Sequence, residues 1–142
     1  AVGEVSEEAK KLIQVTKESF FEGIKFAKAG NHLFDISGAI GRYAEERGYG
    51  VVRDLCGHGI GTALHEAPEI PNYEVGRKGV RLRPGMTLAI EPMINIGTYE
   101  VDWLDDDWTV VTRDGSLSAH YENTILITEG EPRILSLTCD NE

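Results

Sequence analysis

Residues 85–93 read Gly-Met-Thr-Leu-Ala-Ile-Glu-Pro-Met, a short apolar strand that ends in a glutamate fixed by the following proline. A second glutamate, Glu122, falls within the apolar stretch 119–128, which also predicts a strand. A carboxylate in a half-buried strand is costly unless it is paired or binds a metal ion. Few basic residues lie near Glu91 or Glu122 in the sequence, so the two carboxylates favour a shared metal ion.

Two histidines accompany these carboxylates. His58 stands between Gly57 and Gly59, where glycine lets the backbone approach a neighbouring group closely and leaves the imidazole unshielded. His65 follows seven residues later, within Leu-His-Glu. A single histidine or glutamate of this kind more often has a structural role, with its polar atoms satisfied by local hydrogen bonds, than a functional one. The two histidines and two glutamates together, on an acidic chain, favour a functional site.

The donor types indicate which metal ion such a site would take. One imidazole and two carboxylates, without a thiolate, suit Mn, Fe or Co, and Zn is also compatible. Three protein ligands leave open positions, which is typical of catalytic sites. The ion acidifies a bound water into a nucleophile, and a histidine outside the ligand set can donate to the oxyanion that forms. The residue types alone therefore predict metal-assisted acyl hydrolysis.

Length and composition restrict the class of protein. A chain of 142 residues, 41% hydrophobic and 27% charged, predicts one globular domain. Its formal net charge of −10 argues against nucleic acid as a main partner, because phosphate binding needs a basic patch. No apolar run predicts a membrane span, and the first residues do not resemble a signal peptide. With only Cys56 and Cys139, we expect a reduced, cytoplasmic protein. Cys56 is expected to be a small buried hydrophobe, the alternative being a position close to His58 and its site.

The order of the elements predicts an α+β fold, with two helices followed by antiparallel strands. The first helix is predicted to begin after the N-cap Ser6 and to end at Gly30. Its buried face is predicted from apolar or small residues at helical spacing: Ala9, Leu12, Ile13, Thr16, Phe20, Ile24 and Ala27. The second helix is predicted to begin after the N-cap Asp35 and to end at Gly48, with His32 in a surface turn before it.

The rest of the chain is predicted to be strands and loops. Strands are predicted at 51–52, 86–90, 93–98, 108–112, 119–128 and 134–137. Residues 66–85, which are rich in proline and glycine, predict a long surface loop, and the acidic residues 102–107 predict a solvated loop. The dipeptide Asp114-Gly115 predicts a hairpin that joins strands 108–112 and 119–128.

Five motifs closely resemble the methionine aminopeptidases of the bacterial type I class, over essentially the whole chain. They are residues 57–61 (Gly-His-Gly-Ile-Gly), 64–66 (Leu-His-Glu), 85–93, 107–109 (Asp-Trp-Thr) and 119–124 (Ala-His-Tyr-Glu-Asn-Thr). The related proline-specific peptidases share the His-Gly-Ile-Gly and Glu-Pro elements. They usually have glycine at the position of Met93, and they lack the Asp-Trp-Thr strand. The short separation of His65 from Glu91 favours type I over type II.

The resemblance implies a pita-bread fold, in which two pseudo-symmetric halves close around two divalent metal ions (Co, Mn, Fe or Zn). It also implies an enzyme that removes the initiator methionine from nascent proteins and peptides. By this resemblance, His58 and Glu91 would ligate one ion and Glu122 would bridge both. Glu91 would also carry the proton to the leaving amine, and His65 would hold the scissile carbonyl and its oxyanion.

The same resemblance assigns contacts around the metals. Trp108 and Leu64 would border the pocket for the methionine side chain. Ser118 matches a position that can help bind a monovalent cation through its backbone. His120 lies two positions before Glu122 and therefore on the same strand face, which makes it a candidate for supporting contacts around the ligands.

Part of the family's site has no counterpart in this sequence. Two strand-borne aspartate ligands and a further substrate-facing histidine are missing, since the aspartates at 102 and 105–107 lie in the acidic loop. Residues 1–142 thus resemble the C-terminal half of a metallo-aminopeptidase catalytic domain, and the N-terminal half is an implied partner. We expect the half alone to be inactive. The alternatives are a non-catalytic peptide-binding module of pita-bread type, a proline-specific relative, and a subunit completed by another chain. Retention of His58, His65, Glu91 and Glu122 argues against the binding module, which needs no proton shuttle, whereas the missing aspartates argue for it.

Overall fold

The computed structural model describes residues 1–137, in which two helices precede ten short strands. Their bounds are α1 Glu7–Ile24, α2 Leu33–Glu45, β1 Gly50–Val51, β2 Gly57–Gly59, β3 Glu66–Ile70, β4 Thr87–Ile90, β5 Met93–Asn95, β6 Val101–Trp103, β7 Val110–Thr112, β8 Ser118–His120, β9 Asn123–Leu126 and β10 Arg133–Ile134. This order confirms the predicted α+β class. Neither helix has the length and apolar character that crossing a membrane requires.

The strands of the described residues form three sheets, a two-stranded β6-β7 pair and two larger sheets that are connected by two neighbouring chain segments. The five-stranded sheet has the order β10-β9-β4-β2-β3, and the three-stranded sheet has the order β1-β5-β8. Because β4 pairs with β9 and β5 pairs with β8, the chain passes between the sheets at residues 91–92 and again at residues 121–122. We call these two crossings the seam. The Tyr121 N–H donates to the Pro92 carbonyl across it at 3.2 Å.

The helices pack together and cover these sheets. Gly23 of α1 faces Ile40 of α2 so closely that a Cβ at residue 23 would lie 2.4 Å from Ile40 Cγ1. Side chains from both helices meet those of the strands in the larger buried cluster, which includes Phe20, Ile36, Ile40, Ile70, Leu88, Ile90, Ile125 and Ile127. Each fully buried large aliphatic side chain contributes about 1.5–3 kcal/mol relative to exposure. The packed core therefore lies directly behind the strands that carry the predicted site residues.

Helix α1 begins as predicted and ends earlier. The Ser6 hydroxyl accepts a hydrogen bond from the Ala9 N–H at 3.2 Å, which confirms the N-cap. The predicted end at Gly30 is wrong, because the helix ends at Ile24 and Gly30 instead bonds through its N–H to the Leu82 carbonyl. Ile13 is also exposed, since it falls beside the buried stripe of Leu12, Val15, Thr16, Ser19, Phe20 and Gly23.

Helix α2 begins before its predicted start. Its N-cap is His32, so the prediction of Asp35 as the N-cap is wrong. Asp35 lies inside the first turn, where its carboxylate accepts a hydrogen bond from the His32 N–H at 2.8 Å. An acidic side chain satisfies the exposed amides from either position, so the sequence alone does not distinguish them. The helix ends at Glu45, three residues before Gly48.

Two predicted loops contain strands. Residues 66–85 include β3, and Ile70, Asn72 and Leu82 are buried, so the surface-loop prediction is wrong there. Pro68 is tolerated within β3 because β3 is an edge strand of its sheet. Residues 102–107 include part of β6, which pairs with β7, so only the following turn is the predicted acidic loop.

The predicted pairing around Asp114-Gly115 is also wrong. The turn forms, with a φ of 71° at Gly115, but β7 pairs with β6, and β8 pairs with β5. The Asp114 carboxylate accepts hydrogen bonds from the Thr98 and Ser116 N–H groups at 2.8 and 2.9 Å, which tie the turn to the loop after β5. The Ser116 hydroxyl and these amides lower the pKa of Asp114 to about 2.

The C-terminal strand predictions hold in part. The stretch 119–128 forms two strands, β8 and β9, which are separated by the seam residues 121–122. The final strand is Arg133–Ile134, and it pairs with β9 as the edge of the five-stranded sheet. The predicted free thiol of Cys139 lies outside the described residues.

Candidate metal centre

The seam places both predicted glutamates at the ends of paired strands. Glu91 follows β4 and has a side chain that is only 13% exposed. Glu122 precedes β9 and is exposed, so the expectation that it is half-buried inside a continuous strand is wrong. Because Ile90 pairs with Asn123 and Met93 pairs with His120, the two residues between them on each strand face each other. The register of the sheets thus brings the two carboxylates together.

His58 is held on β2 by the glycines that flank it. An added Cβ would lie 2.3 Å from the Ala89 carbonyl oxygen at Gly57, and 2.3 Å from the Ala67 carbonyl oxygen at Gly59. These distances confirm the predicted close approach of the backbone, which only glycine permits. The His58 side chain is 13% exposed, so the expectation of an unshielded imidazole is wrong.

The hydrogen bond of His58 fixes which ring nitrogen can act as a ligand. Its Nδ1 lies 2.8 Å from the Gly59 carbonyl oxygen, which can only accept, so Nδ1 carries a proton. In the neutral imidazole, Nε2 then presents a lone pair. That lone pair lies 3.3 Å from Glu91 Oε1, which is also an acceptor. Two acceptors at this distance need a cation or a proton between them.

The chemistry of the donors fits a divalent ion. His58, Glu91 and Glu122 each offer one ligand atom, and these atoms all lie within 4.8 Å of one another. Among residues 1–137, no other group of three or more His, Cys, Asp or Glu side chains has its possible ligand atoms this close together. The structure therefore gathers the three residues predicted as ligands, and their ligand role stays a prediction.

His65 lies beside this group without joining it. Its ring meets that of His58 edge to face, with centroids 4.3 Å apart and an interplanar angle of 71°. Both rings border an open cleft of about 580 Å³, together with Cys56 and Glu66. Cys56 is half-buried, so it is more exposed than the predicted small hydrophobe, and burial still raises the pKa of its thiol.

His120 contacts the other oxygen of Glu91. Its Nε2 lies 3.2 Å from Glu91 Oε2, and its side chain is 46% exposed. The hydrogen bond to Glu91 raises the pKa of His120 against the opposing effect of burial. The spacing of His120 and Glu122 in the sequence indicated this neighbourhood.

Sequence reasoning missed Asn72. Its fully buried amide donates from Nδ2 to the backbone carbonyl of Glu91 at 3.2 Å, so it fixes the main chain at the seam. The residue lies in the stretch 66–85 that was predicted as a surface loop. A buried asparagine between Pro71 and Tyr73 carries no pattern that distinguishes it from a turn residue.

The predicted substrate contacts lie at the surface of the described chain. Trp108 is 86% exposed in the turn between β6 and β7, and Leu64 is 68% exposed just before His65. Ser118 lies on β8, where its hydroxyl donates to the Ile94 carbonyl at 3.3 Å. Their roles toward substrate or a monovalent cation remain predictions.

Comparison with known proteins agrees with this architecture. Residues 1–129 match Metallopeptidase family M24. Methionine aminopeptidase of Clostridium acetobutylicum is 60% identical over 137 residues, which cover 96% of this chain and 55% of that protein. The crystal structure of methionine aminopeptidase from Thermotoga maritima has a TM-score of 0.90 at 50% identity, and the match covers 94% of this chain and 53% of that one.

A more distant relative separates the alternatives. The prolidase of Pyrococcus furiosus has a TM-score of 0.72 at 26% identity and is covered over 35% of its length, against 97% of this chain. The methionine aminopeptidases are thus much more similar to this chain than this prolidase is, and the predicted resemblance is confirmed. The fold is the pita-bread fold that these enzymes share. The chain spans about half the length of the curated relatives it matches, and over that span it belongs to metallopeptidase family M24.

Proposed function

We propose that residues 1–142 form the C-terminal half of the catalytic domain of a methionine aminopeptidase. The complete enzyme would act in the cytoplasm and hydrolyse the N-terminal methionine from nascent proteins and peptides. The observation that carries the proposal is the convergence of one imidazole and two carboxylates within 4.8 Å, with a second imidazole packed against the first. A module that only binds peptides needs no such arrangement.

The donor set supports two divalent ions in the complete site. His58 Nε2 and Glu91 Oε1 would hold one ion, and their lone pairs already converge at 3.3 Å. Glu122 would bridge to a second ion, and its exposure leaves an oxygen accessible beyond this chain. The absence of a thiolate from the group favours Co, Mn or Fe, with Zn compatible.

Each residue of the site then has a chemical role. Divalent ions held by His58, Glu91 and Glu122 would supply Lewis-acid chemistry, polarising the scissile carbonyl and lowering the pKa of water. Glu91 accepts a proton from the attacking water and returns it to the leaving amine. His65, beside the ligand group in the open cleft, donates a hydrogen bond to the carbonyl oxygen as negative charge develops there. Trp108 and Leu64 would enclose the methionine side chain when the second half covers their exposed faces.

The second half of the site would come from an N-terminal segment. The aspartates at 105–107 lie in the exposed turn after β6, so they do not supply the two further ligands. We therefore infer that the chain works with a segment equivalent to the N-terminal part of its relatives, which carries two strand-borne aspartates. That segment and peptides beginning with methionine are the proposed partners.

The test is reconstitution of peptidase activity. The chain would be mixed with the N-terminal segment of the Clostridium acetobutylicum relative, and hydrolysis of Met-Ala-Ser would be measured with Co or Mn. We expect turnover only in the mixture, and none when Glu91→Ala or Glu122→Ala replaces the wild-type chain. Glu129→Ala, a change at an exposed glutamate outside the group, is the matched control and should retain activity. Turnover by the chain alone would show that the missing ligands are not required.

A further inference from the structure

We propose that His120 is a positioning residue for Glu91: its Nε2–H binds Glu91 Oε2 and thereby keeps Oε1 turned toward His58 as a single-oxygen metal ligand. The inference rests on the proposed function, because it assumes that His58 and Glu91 share an ion. It assigns to His120, which lies outside the ligand group, a role in orienting one of the ligands.

The two oxygens of Glu91 have separate partners. Oε2 lies 3.2 Å from His120 Nε2, and Oε1 lies 3.3 Å from His58 Nε2. The terminal torsion of a glutamate is broad and roughly two-fold, so rotation exchanges the oxygens at little cost. A hydrogen bond to one oxygen fixes that torsion. With Oε2 held by His120, Oε1 is left to face the ligand nitrogen.

The main chain of Glu91 is already restrained by other contacts. Asn72 Nδ2 donates to its carbonyl at 3.2 Å, and the buried Pro92 follows it. The side-chain torsions are therefore the remaining freedom of this ligand. The contact with His120 restrains them through the oxygen that does not face His58.

The sheet register explains why His120 can do this. His120 pairs with Met93 in the β5–β8 ladder, and Glu91 lies two residues before Met93. Alternate residues of a strand share a face, so Glu91, Met93, His120 and Glu122 project to the same side of the seam. His120 is 46% exposed on the rim of this face. Its replacement therefore removes one hydrogen bond without opening the core.

The experiment is a Co²⁺ titration by calorimetry of the chain mixed with the N-terminal segment, together with the visible absorption spectrum of the bound ion. Four proteins are compared: the wild type, His120→Leu, His120→Gln and His58→Ala. We expect His120→Leu to weaken Co²⁺ binding about 10–100-fold, the range for losing a group that orients a ligand. Its spectrum should also change, because the freed carboxylate alters the coordination. The amide nitrogen of glutamine lies about as far from the backbone as histidine Nε2 and also donates a hydrogen bond. His120→Gln should therefore keep both the affinity and the spectrum of the wild type.

Each outcome bears on a different claim. Wild-type affinity and spectrum in His120→Leu would overturn the positioning role. Equal losses in His120→Leu and His120→Gln, with unchanged thermal melting, would overturn it too, since the donor would not be the cause. If the wild-type mixture bound no Co²⁺, or if the mixture with His58→Ala bound it equally well, the proposed metal site itself would be wrong.

Discussion

Replacement of Gly57 by alanine should separate the two central strands that carry the site. Gly57 opens β2, which lies between β3 and β4 in the five-stranded sheet. The added Cβ would lie 2.3 Å from the Ala89 carbonyl oxygen, whereas ordinary contact begins at 3.4 Å. The strands must therefore move apart by 3.4 − 2.3 = 1.1 Å. Ala89 belongs to the backbone of β4, which is paired with β9 on its other side, so it cannot retreat alone.

The expected cost follows from this geometry. Overpacking a well-filled interior lowers the free energy of unfolding by about 1–3 kcal/mol. Because the backbones of both β2 and β4 are restrained by their neighbours, we expect Gly57→Ala to cost about 3 kcal/mol. For a domain of this size, that loss lowers the melting temperature by roughly 6–12 °C. The same movement should separate His58 from Glu91, since His58 follows Gly57 directly and Glu91 lies two residues after Ala89. Co²⁺ affinity should therefore fall together with stability.

Thermal unfolding followed by circular dichroism, and Co²⁺ calorimetry at a temperature where both proteins are folded, measure the two effects. Gly130→Ala is the matched control, because nothing lies within 4 Å of a Cβ at that position. It should melt and bind as the wild type does. If Gly57→Ala did the same, the close approach of β2 and β4 would not be what requires glycine there.

Three further changes test the role of His65, the N-terminal cap of α2 and the contact between Tyr43 and Glu18. His65→Ala in the reconstituted enzyme should lower turnover by roughly 10²–10³ with metal content retained, because one oxyanion donor is lost; loss of metal would instead make His65 a ligand. Asp35→Ala removes the acceptor for the His32 N–H and should cost about 1 kcal/mol in urea unfolding, whereas no change would contradict the cap. The Tyr43 hydroxyl holds the pKa of Glu18 below 4.5, so this contact stabilises the fold above pH 4.5, and the stability is lost as pH falls through the lowered value. Tyr43→Phe should flatten that acid dependence of unfolding, and an unchanged profile would refute the coupling.

Chemistry in the site could be predicted from polar residues that interrupt apolar runs. Glu91 and Glu122 stood out because carboxylates rarely occupy such positions. Their actual environment could not be predicted, since the run from Ala119 to Ile127 is continuously strand-like and nothing local marks the passage between sheets. Which strand neighbours which depends on pairing across the whole chain.

The predicted end of α1 and start of α2 were wrong for a different reason. Asp35 satisfies amides at the start of α2 from within the first turn, and the residues between Ile24 and Gly30 remain compatible with a helix in isolation. The choice is made by contacts distant in sequence, such as the Gly30 N–H with the Leu82 carbonyl. Local propensity is a weak guide where such tertiary bonds compete with it.

The seam has a mechanical consequence. Two of the three chain connections between the five-stranded and three-stranded sheets run through it, the third being the segment from β1 to β2, and each of the two carboxylates lies on one of these two connections. Glu91 and Glu122 therefore belong to two different chain segments that meet where the sheets join. An ion that held both carboxylates would also link these two segments, so its binding would stabilise the junction of the sheets against unfolding.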